Sequence, residues 1–439
     1  MLTTLKNAFK IKDIRKKIFY TFVMLIIIRI GSTLPVPGIN GETFRAWFAQ
    51  QTSGMGGALS FFDAITGGSF TNMSILSLNI NPYITSSIII QLLTIAIPKL
   101  EEMQKDGEDG RKKLASITRY VTVALALIQA SAMAIAFANQ GIMARNALNI
   151  ITAIVTMTAG SAFLMWVGER ITENGVGNGI SIVLVINIIS RLPQDLYNLY
   201  QQFVKGKPFA SAALAAVIIL AIIVLMVVLV IILNDGTRKI PVQYAQKVQG
   251  RRLVGGQSSS IPLKVNTAGV IPIIFAQSLL QFPLIISSFV KYNTAGVWAE
   301  ILKYLNSGNW CSLQQPKYTI GMLVYIVLVI FFAYFYTSIT FNPLMVADNM
   351  KKQGGFIPGI RPGKPTSDYL TKVLNYVIFI GAVGLTIIGI LPYIFNGIFK
   401  ASVSFGGTSL IIIVSVILET MKQIESQMLV RNYKGFLND

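Results

Sequence analysis

The sequence has no histidine and a single cysteine, Cys311. Without histidine, Ser-His-Asp catalysis, Cys-His catalysis and histidine-ligated metals are excluded, and one cysteine excludes a cysteine-rich metal site or an internal disulfide. The run GIRPGKPTS is similar to a phosphate-binding loop, but Pro358 and Pro365 occupy positions where that loop needs glycine and a hydroxyl side chain. We therefore predict a protein that is not an enzyme and that holds no metal or cofactor.

Charged residues are also scarce. They make up 13% of the chain against 53% for hydrophobic residues, and the mean hydropathy of +0.62 lies outside the usual range of soluble proteins. Crossing the hydrocarbon core takes roughly 20 predominantly apolar residues. The sequence therefore predicts an all-α polytopic membrane protein with ten spans, at about 18–34, 74–97, 117–138, 147–167, 179–203, 210–233, 268–290, 319–341, 370–392 and 407–421.

The predicted spans have almost no ionisable side chains away from their ends. Arg29 and Arg191 lie near outer ends, where a long side chain can reach the membrane surface, and Arg191 and Pro193 interrupt the fifth span. Glu419 lies near the cytoplasmic end of the last span. Ion-coupled transporters usually keep a carboxylate near the midplane. This scarcity counts against such a transporter, although sodium sites can be built from carbonyls and hydroxyls.

Basic residues are distributed unevenly between the two sides of the predicted membrane. Most of the 37 lysines and arginines lie in the two terminal segments and in alternate loops. Because cytoplasmic loops carry an excess of basic residues, both termini are predicted to be cytoplasmic. The first apolar run is followed by Arg29 and PVPG rather than by a small-residue cleavage site, which predicts a retained helix instead of a cleaved signal.

Three predicted spans begin with polar or helix-loosening residues. In the second span, Ile80, Ile84 and Ile88 recur every four residues beside a polar stripe, and Pro82 is expected to loosen the start of the helix. The fifth begins GVGNGISIVL and the seventh begins NTAGVIPIIFAQSLL. Such features fit ordinary helix–helix packing. They also fit a partly wet cavity that is narrowed by an apolar constriction.

Two cytoplasmic loops, 234–266 and 342–370, are long and basic. Solvated loops that only fix topology would account for some of this charge. Long loops on a rigid scaffold are usually functional, however, and basic ones suit either the phosphate backbone of RNA or an acidic protein face. We therefore predict that they dock a partner.

The motifs INPYITSSIIIQLL, GERITENGVGNGIS, IPLKVNTAGVIPIIFA, GGFIPGIRPG and FGGTSLIII together resemble the SecY family of protein-translocation channels. The resemblance runs in order along the whole chain. It implies a clamshell of two pseudo-symmetric five-helix halves, 1–205 and 206–439, around a central pore. Unfolded secretory polypeptides would cross through that pore, and hydrophobic segments would leave sideways into lipid.

The resemblance also implies roles for individual residues. Thr85 and Phe282 match positions that face a lateral gate between spans two and three on one side and seven and eight on the other. An apolar pore ring is implied at Ile80, Ile84, Ile180, Leu184, Ile274 and Ile412. Partner docking is implied at Arg361, supported by the basic residues Lys364, Arg238, Lys239, Lys247, Arg251 and Arg252.

A short segment, GGALSFFDAITGGSF at 56–70, is apolar but too short to cross a bilayer. The resemblance implies that it is a re-entrant plug helix that closes the outer side of the pore, with hinge freedom from the glycine pair at each end. Asp63 is expected to face water, and the apolar face beneath the ring is expected to contain Leu59, Phe61, Phe62 and Ile65. The competing interpretation is a purely structural re-entrant element.

The family resemblance further implies partners: SecE and SecG subunits, the SecA motor ATPase, the ribosome, signal-bearing unfolded polypeptides and membrane lipid. It implies a bacterial cytoplasmic (inner) membrane. A secondary transporter with broken helices is the alternative, and it would require a midplane solute site. A purely structural scaffold would need neither a polar stripe nor an apolar ring.

Overall fold

A computed structural model of the chain describes residues 6, 8–55, 63, 66–205, 208–244, 247–249, 252–254, 258–289, 296–311, 315–399 and 407–435. The described part is mostly helical. Its helices are α1 Lys12–Gly31, α2 Gly41–Met55, α3 Asn81–Ala96, α4 Pro98–Lys105, α5 Gly107–Asn139, α6 Ala147–Asn174, α7 Gly179–Phe203, α8 Phe209–Asp235, α9 Ile271–Phe289, α10 Val297–Leu305, α11 Ile320–Thr340, α12 Pro343–Lys352, α13 Lys364–Phe399 and α14 Gly407–Gly435.

Each of the ten apolar stretches predicted as spans contains a helix. Six helical segments in the described ranges are long and apolar enough to cross a membrane: Gly107–Asn139, Ala147–Asn174, Gly179–Phe203, Ala212–Asp235, Pro316–Lys352 and Lys364–Ile394. A seventh is possible if Asn81–Ala96 and Pro98–Gln104, bent by 107°, form one broken span. The chain is therefore a multi-pass membrane protein, and the count of ten spans stays a prediction.

The second predicted span starts later than its hydropathy suggests. Turns occupy the chain up to Ile80, and helix α3 begins at Asn81 because Pro82 occupies its first turn, where a missing backbone N–H costs no hydrogen bond. The expectation that Pro82 loosens the helix was wrong. Ile80 stands at the residue before the helix, one turn ahead of Ile84.

The fifth predicted span is a single continuous helix. Helix α7 runs through Arg191 and Pro193, so the expected interruption was wrong. Its start is capped by Asn178, whose side-chain oxygen accepts hydrogen bonds from the N–H groups of Ile180 and Ser181. The cap fixes the direction in which the first turn of α7 enters the fold.

The two basic loops contain β-strands, which corrects the expectation of an all-α fold. Three strands, β1 Thr237–Tyr244, β4 Ser258–Lys264 and β5 Gly355–Phe356, form an antiparallel sheet in the order β4-β1-β5. Strands β2 Lys247–Gln249 and β3 Arg252–Val254 form a separate hairpin. Because β5 comes from the second loop, one sheet joins both loops, and the fold is not purely helical.

Candidate functional site

The six residues predicted as a pore ring belong to one apolar cluster. Ile80, Leu184 and Ile412 are buried in it, and the partly buried side chains Ile84, Ile180 and Ile274 pack against it. They come from α3 and the residue before it, and from α7, α9 and α14. Residues that are far apart in sequence therefore converge on one place, which an apolar constriction requires.

Glycines bring the start of α7 very close to α6. A Cβ at Gly179 would overlap the carbonyl oxygen of Gly168, and a Cβ at Gly168 would lie 3.0 Å from the side chain of Ile180. Gly177 has φ of +79°, a conformation that glycine adopts at little cost. The run GVGNG thus serves close helix packing, and that packing holds Ile180 against the cluster.

Asp63 is buried, so the expectation that it faces water was wrong. Its side chain has no exposed surface, and its Oδ2 lies 2.5 Å from Nη2 of Arg191 on α7, whose side chain is 25% exposed. Oδ1 also accepts a hydrogen bond of 2.9 Å from the N–H of Thr71. Arg191 therefore pairs inside the protein instead of extending to the membrane surface. The other predicted plug residues, Leu59, Phe61, Phe62 and Ile65, lie outside the described residues.

A buried polar contact lies beside this ion pair, and the sequence analysis missed it. The Nδ2 of Asn187 on α7 donates to Oδ1 of Asn79 over 3.1 Å, and Ser161 on α6 donates to the carbonyl oxygen of Asn79 over 3.0 Å. Asn79 has φ of +52°, a left-handed conformation that asparagine tolerates better than most residues. An asparagine in the middle of the apolar run IVLVINII was the available signal, because a buried amide needs partners.

The predicted gate residues are only partly described. Thr85 is half-buried on α3, while Phe282 lies on α9 with its side chain outside the described residues. Elsewhere on α9, Gln277 donates a 2.7 Å hydrogen bond to the hydroxyl of Tyr393 on α13. That bond gives the buried amide nitrogen of Gln277 a partner within the seventh predicted span.

The sheet formed by the two basic loops has an apolar underside, and exposed basic residues lie on and beside it. Residues from both loops and from α12 and α13 share one core, which contains Ile240, Val242, Leu263, Met350, Ile357 and Leu370. Among the predicted docking residues, the exposed ones are Arg238, Lys239, Arg361 and Lys364. Lys247 and Arg252 lie in the β2–β3 hairpin, but their side chains are not among those that the structure describes. Arg251 lies outside the described residues.

Arg361 lies on a turn that the fold holds in place. The hydroxyl of Thr366 donates a 2.8 Å hydrogen bond to the carbonyl oxygen of Arg361, and Ile357, just ahead of the turn, is buried. The backbone is therefore fixed while the guanidinium stays exposed. Within the described ranges, no three histidine, cysteine or acidic side chains group closely enough to hold a metal ion.

Together these features define a multi-pass helical membrane protein in which side chains from several helices form one apolar cluster and two loops with exposed basic residues share one sheet. A model of the SecY family matches residues 74–421. The chain belongs to the SecY family.

Curated relatives and solved structures agree with this assignment. The chain is 44% identical to the protein translocase subunit SecY of Bacillus licheniformis over 100% of both chains, and 42% identical to that of Corynebacterium glutamicum over 99% of this chain and 100% of the relative. A solved protein-conducting channel is similar in fold, with a TM-score of 0.66, 19% identity and coverage of 94% of this chain and 93% of the other. Sec61 in the canine ribosome-channel complex has a TM-score of 0.61 at 18% identity, covering 94% and 93%. As a family member, the chain is a channel subunit for protein translocation and not an enzyme.

Proposed function

We propose that the six-residue cluster is the constriction through which unfolded secretory polypeptides cross the membrane. The observation that carries this proposal is the convergence of Ile80, Ile84, Ile180, Leu184, Ile274 and Ile412 on one apolar cluster. An apolar ring excludes water and ions while the channel is at rest. Passage then depends on the unfolded state and hydrophobicity of the substrate, and a partner motor or ribosome supplies the energy.

The finer architecture belongs to the same proposal. Ten spans form two halves, 1–205 and 206–439, which surround the pore and open sideways to lipid beside Thr85 and Phe282. The segment 56–70 plugs the outer side. Helices at all ten predicted stretches support this arrangement. Three apolar clusters, one confined to residues 36–157, one mostly in 222–414 and one between them, are consistent with two halves that meet at the constriction.

We further propose that the cytoplasmic sheet docks the driving partner, SecA or the ribosome, through Arg361. The neighbouring charges Arg238, Lys239 and Lys364 attract an acidic surface or RNA phosphates. A buried core beneath the sheet supports this, since it lets the platform keep its shape while its charges stay in water. SecE and SecG complete the complex in the bacterial cytoplasmic membrane, with both termini of this chain in the cytoplasm.

Site-specific photo-cross-linking tests the constriction. A photoreactive residue replaces Ile84 or Ile412, and a secretory chain is stalled during translocation, with a functional or a defective signal sequence. We expect adducts at both positions that depend on the signal. Ile417 is the matched control, because it lies on the same helix as Ile412 but is 44% exposed. Missing adducts at Ile84 and Ile412, in a complex that binds its motor, would reject the assignment of this cluster as the constriction.

A further inference from the structure

Helix α7 holds the chain ahead of α3 through two side chains one turn apart. Asn187 and Arg191, at positions i and i+4, lie on the same face of the helix. Asn187 binds Asn79 and Arg191 pairs with Asp63. Both ends of this stretch are thus tied to the helix that also carries Ile180 and Leu184.

The backbone between these two ties also packs directly on α7. A Cβ at Gly67 would lie 2.7 Å from the carbonyl oxygen of Asn187, and Ser190 donates a 3.4 Å hydrogen bond to the carbonyl oxygen of Gly67. Gly67 has φ of +66°, so glycine meets both the steric and the conformational demand here.

We propose that Arg191 and Asn187 are positioning residues. They hold Asp63 and the turn segment 66–80 against α7 and thereby fix Ile80 in the constriction. This inference rests on the proposed function of the cluster, and it assigns to α7 a second task besides contributing ring residues. The ion pair sets the position of the outer part of the segment, and the Asn79–Asn187 contact sets the part next to Ile80.

The two members of the ion pair are unequal. Asp63 is completely buried, whereas a quarter of the Arg191 side chain reaches the surface. If Arg191 is lost, the hydrogen bond from the N–H of Thr71 is what the described residues still offer the carboxylate, and a buried charge without its ionic partner is strongly unfavourable. If Asp63 is neutralised, the guanidinium can still be hydrated at its exposed part. Loss of the arginine should therefore displace the segment far more than loss of the acid.

A double-mutant cycle tests this asymmetry in the full complex, reconstituted in liposomes without a motor. The variants are Arg191→Gln, Asp63→Asn and the two combined, in a background where Cys311, the single cysteine, is replaced by alanine. A cysteine placed at Ser69, which is 3% exposed, reacts with a membrane-impermeant maleimide when the segment leaves α7. The resting ion conductance is recorded in parallel.

We expect R191Q to increase the labelling rate about tenfold or more, and the resting conductance with it, because it strands a buried charge. D63N should raise the labelling rate and the resting conductance less than R191Q does. In the double variant, both quantities should return close to those of the parent. Arg191→Lys should retain most of the parent behaviour. Arg145→Gln is the control, since it removes an exposed arginine that bonds Asn139 on another helix end. Failure of R191Q to assemble, with rescue by D63N, would equally support the pair.

Unchanged labelling in R191Q, or a double variant as reactive as R191Q, would overturn the proposal. Asn187→Ala tests the second contact separately. We expect it to increase both the labelling rate and the resting conductance, and no increase would show that Asn187 is not a positioning residue. Labelling requires no translocation. Displacement of the segment in R191Q, together with missing adducts at Ile84 and Ile412, would therefore reject the proposed constriction while keeping the anchoring of the segment.

Discussion

The proposed constriction and the sheet formed by the two basic loops are built in opposite ways. At the constriction, polar side chains such as Asp63 and Asn187 are buried and paired, and the apolar residues beside them narrow the proposed pore. In the sheet, apolar side chains are buried beneath the strands, and basic residues such as Lys239 on β1, or Arg361 on the turn after β5, remain exposed. One region therefore pairs its polar side chains inside the protein, and the other leaves them exposed, where the proposed recognition needs them.

This difference predicts how each region responds to substitution. Water cannot replace a polar contact that is buried in a low-dielectric setting. Removing one side chain of such a contact therefore displaces the segment that the contact holds. Exposed charges can be exchanged with little effect on the fold, and their loss changes association instead. The predictions that follow separate these two responses.

The largest expected effect is on the core of the sheet. Leu263→Ala removes a buried side chain of β4 and should destabilise the sheet by about 2–5 kcal/mol. Hydrogen exchange should then show loss of protection in β1 and β4, with no change in α7. Ser260→Ala, on the exposed side of the same strand, is the control. A uniform loss of protection throughout the protein would contradict a sheet that is stabilised by its own core.

At the constriction, Gly160→Ala should be the next most damaging change. A Cβ at Gly160 would overlap the carbonyl oxygen of Ile75, so α6 must move away from the segment that leads to Ile80. Such overpacking typically costs about 1–3 kcal/mol. We expect a lower thermal midpoint and increased labelling of a cysteine at Ser69. The matched change Gly41→Ala places its methyl in open space, and an equal effect there would show that the contact is unimportant.

A charge reversal on the turn that follows β5 should affect partner binding and not the stability of the fold. Arg361→Glu is expected to weaken association with the motor or ribosome about tenfold, because an exposed charge contributes mainly to recognition. Its thermal midpoint should match that of the parent. Lys239→Glu, on β1, is a comparison variant that measures how far the contribution is local to Arg361. A fall in stability without a change in binding would reverse the contrast between the two regions.

The smallest effect is expected at an exposed ion pair, the counterpart of Asp63–Arg191. Glu300 on α10 lies 2.8 Å from Nζ of Lys317, and a hydrogen bond from that ammonium lowers the pKa of the Glu300 carboxyl. The stabilisation that this pair contributes to the fold is present above the ordinary glutamate pKa, and it is lost as pH falls through the lowered pKa. Because both groups are exposed, Glu300→Gln should leave the thermal midpoint unchanged near neutral pH. Hydrogen exchange of α10 as a function of pH measures the effect, and the variant should lose any acid-dependent opening.

Sequence patterns were sufficient for several elements and not for others. Ten apolar stretches gave the positions of ten helices, because hydropathy directly reflects the membrane as a solvent. The start of α3 was placed too early, since apolar turn residues such as Leu76 and Leu78 are buried without being helical. The sheet was missed because its second edge strand, Gly355–Phe356, is too short to be recognised alone and pairs with a strand more than 100 residues away.

The sequence by itself determined the membrane class, the positions of the apolar helices and the basic loops, and its motifs determined the family. These depend on composition and on local motifs, which each segment carries independently of its neighbours. Only the tertiary structure decided that Asp63 is buried against Arg191, that Asn187 holds Asn79, and that two loops form one sheet. Each of these contacts joins groups whose partners are set by three-dimensional packing, and the preference of a charge or an amide for a partner does not specify which partner it meets.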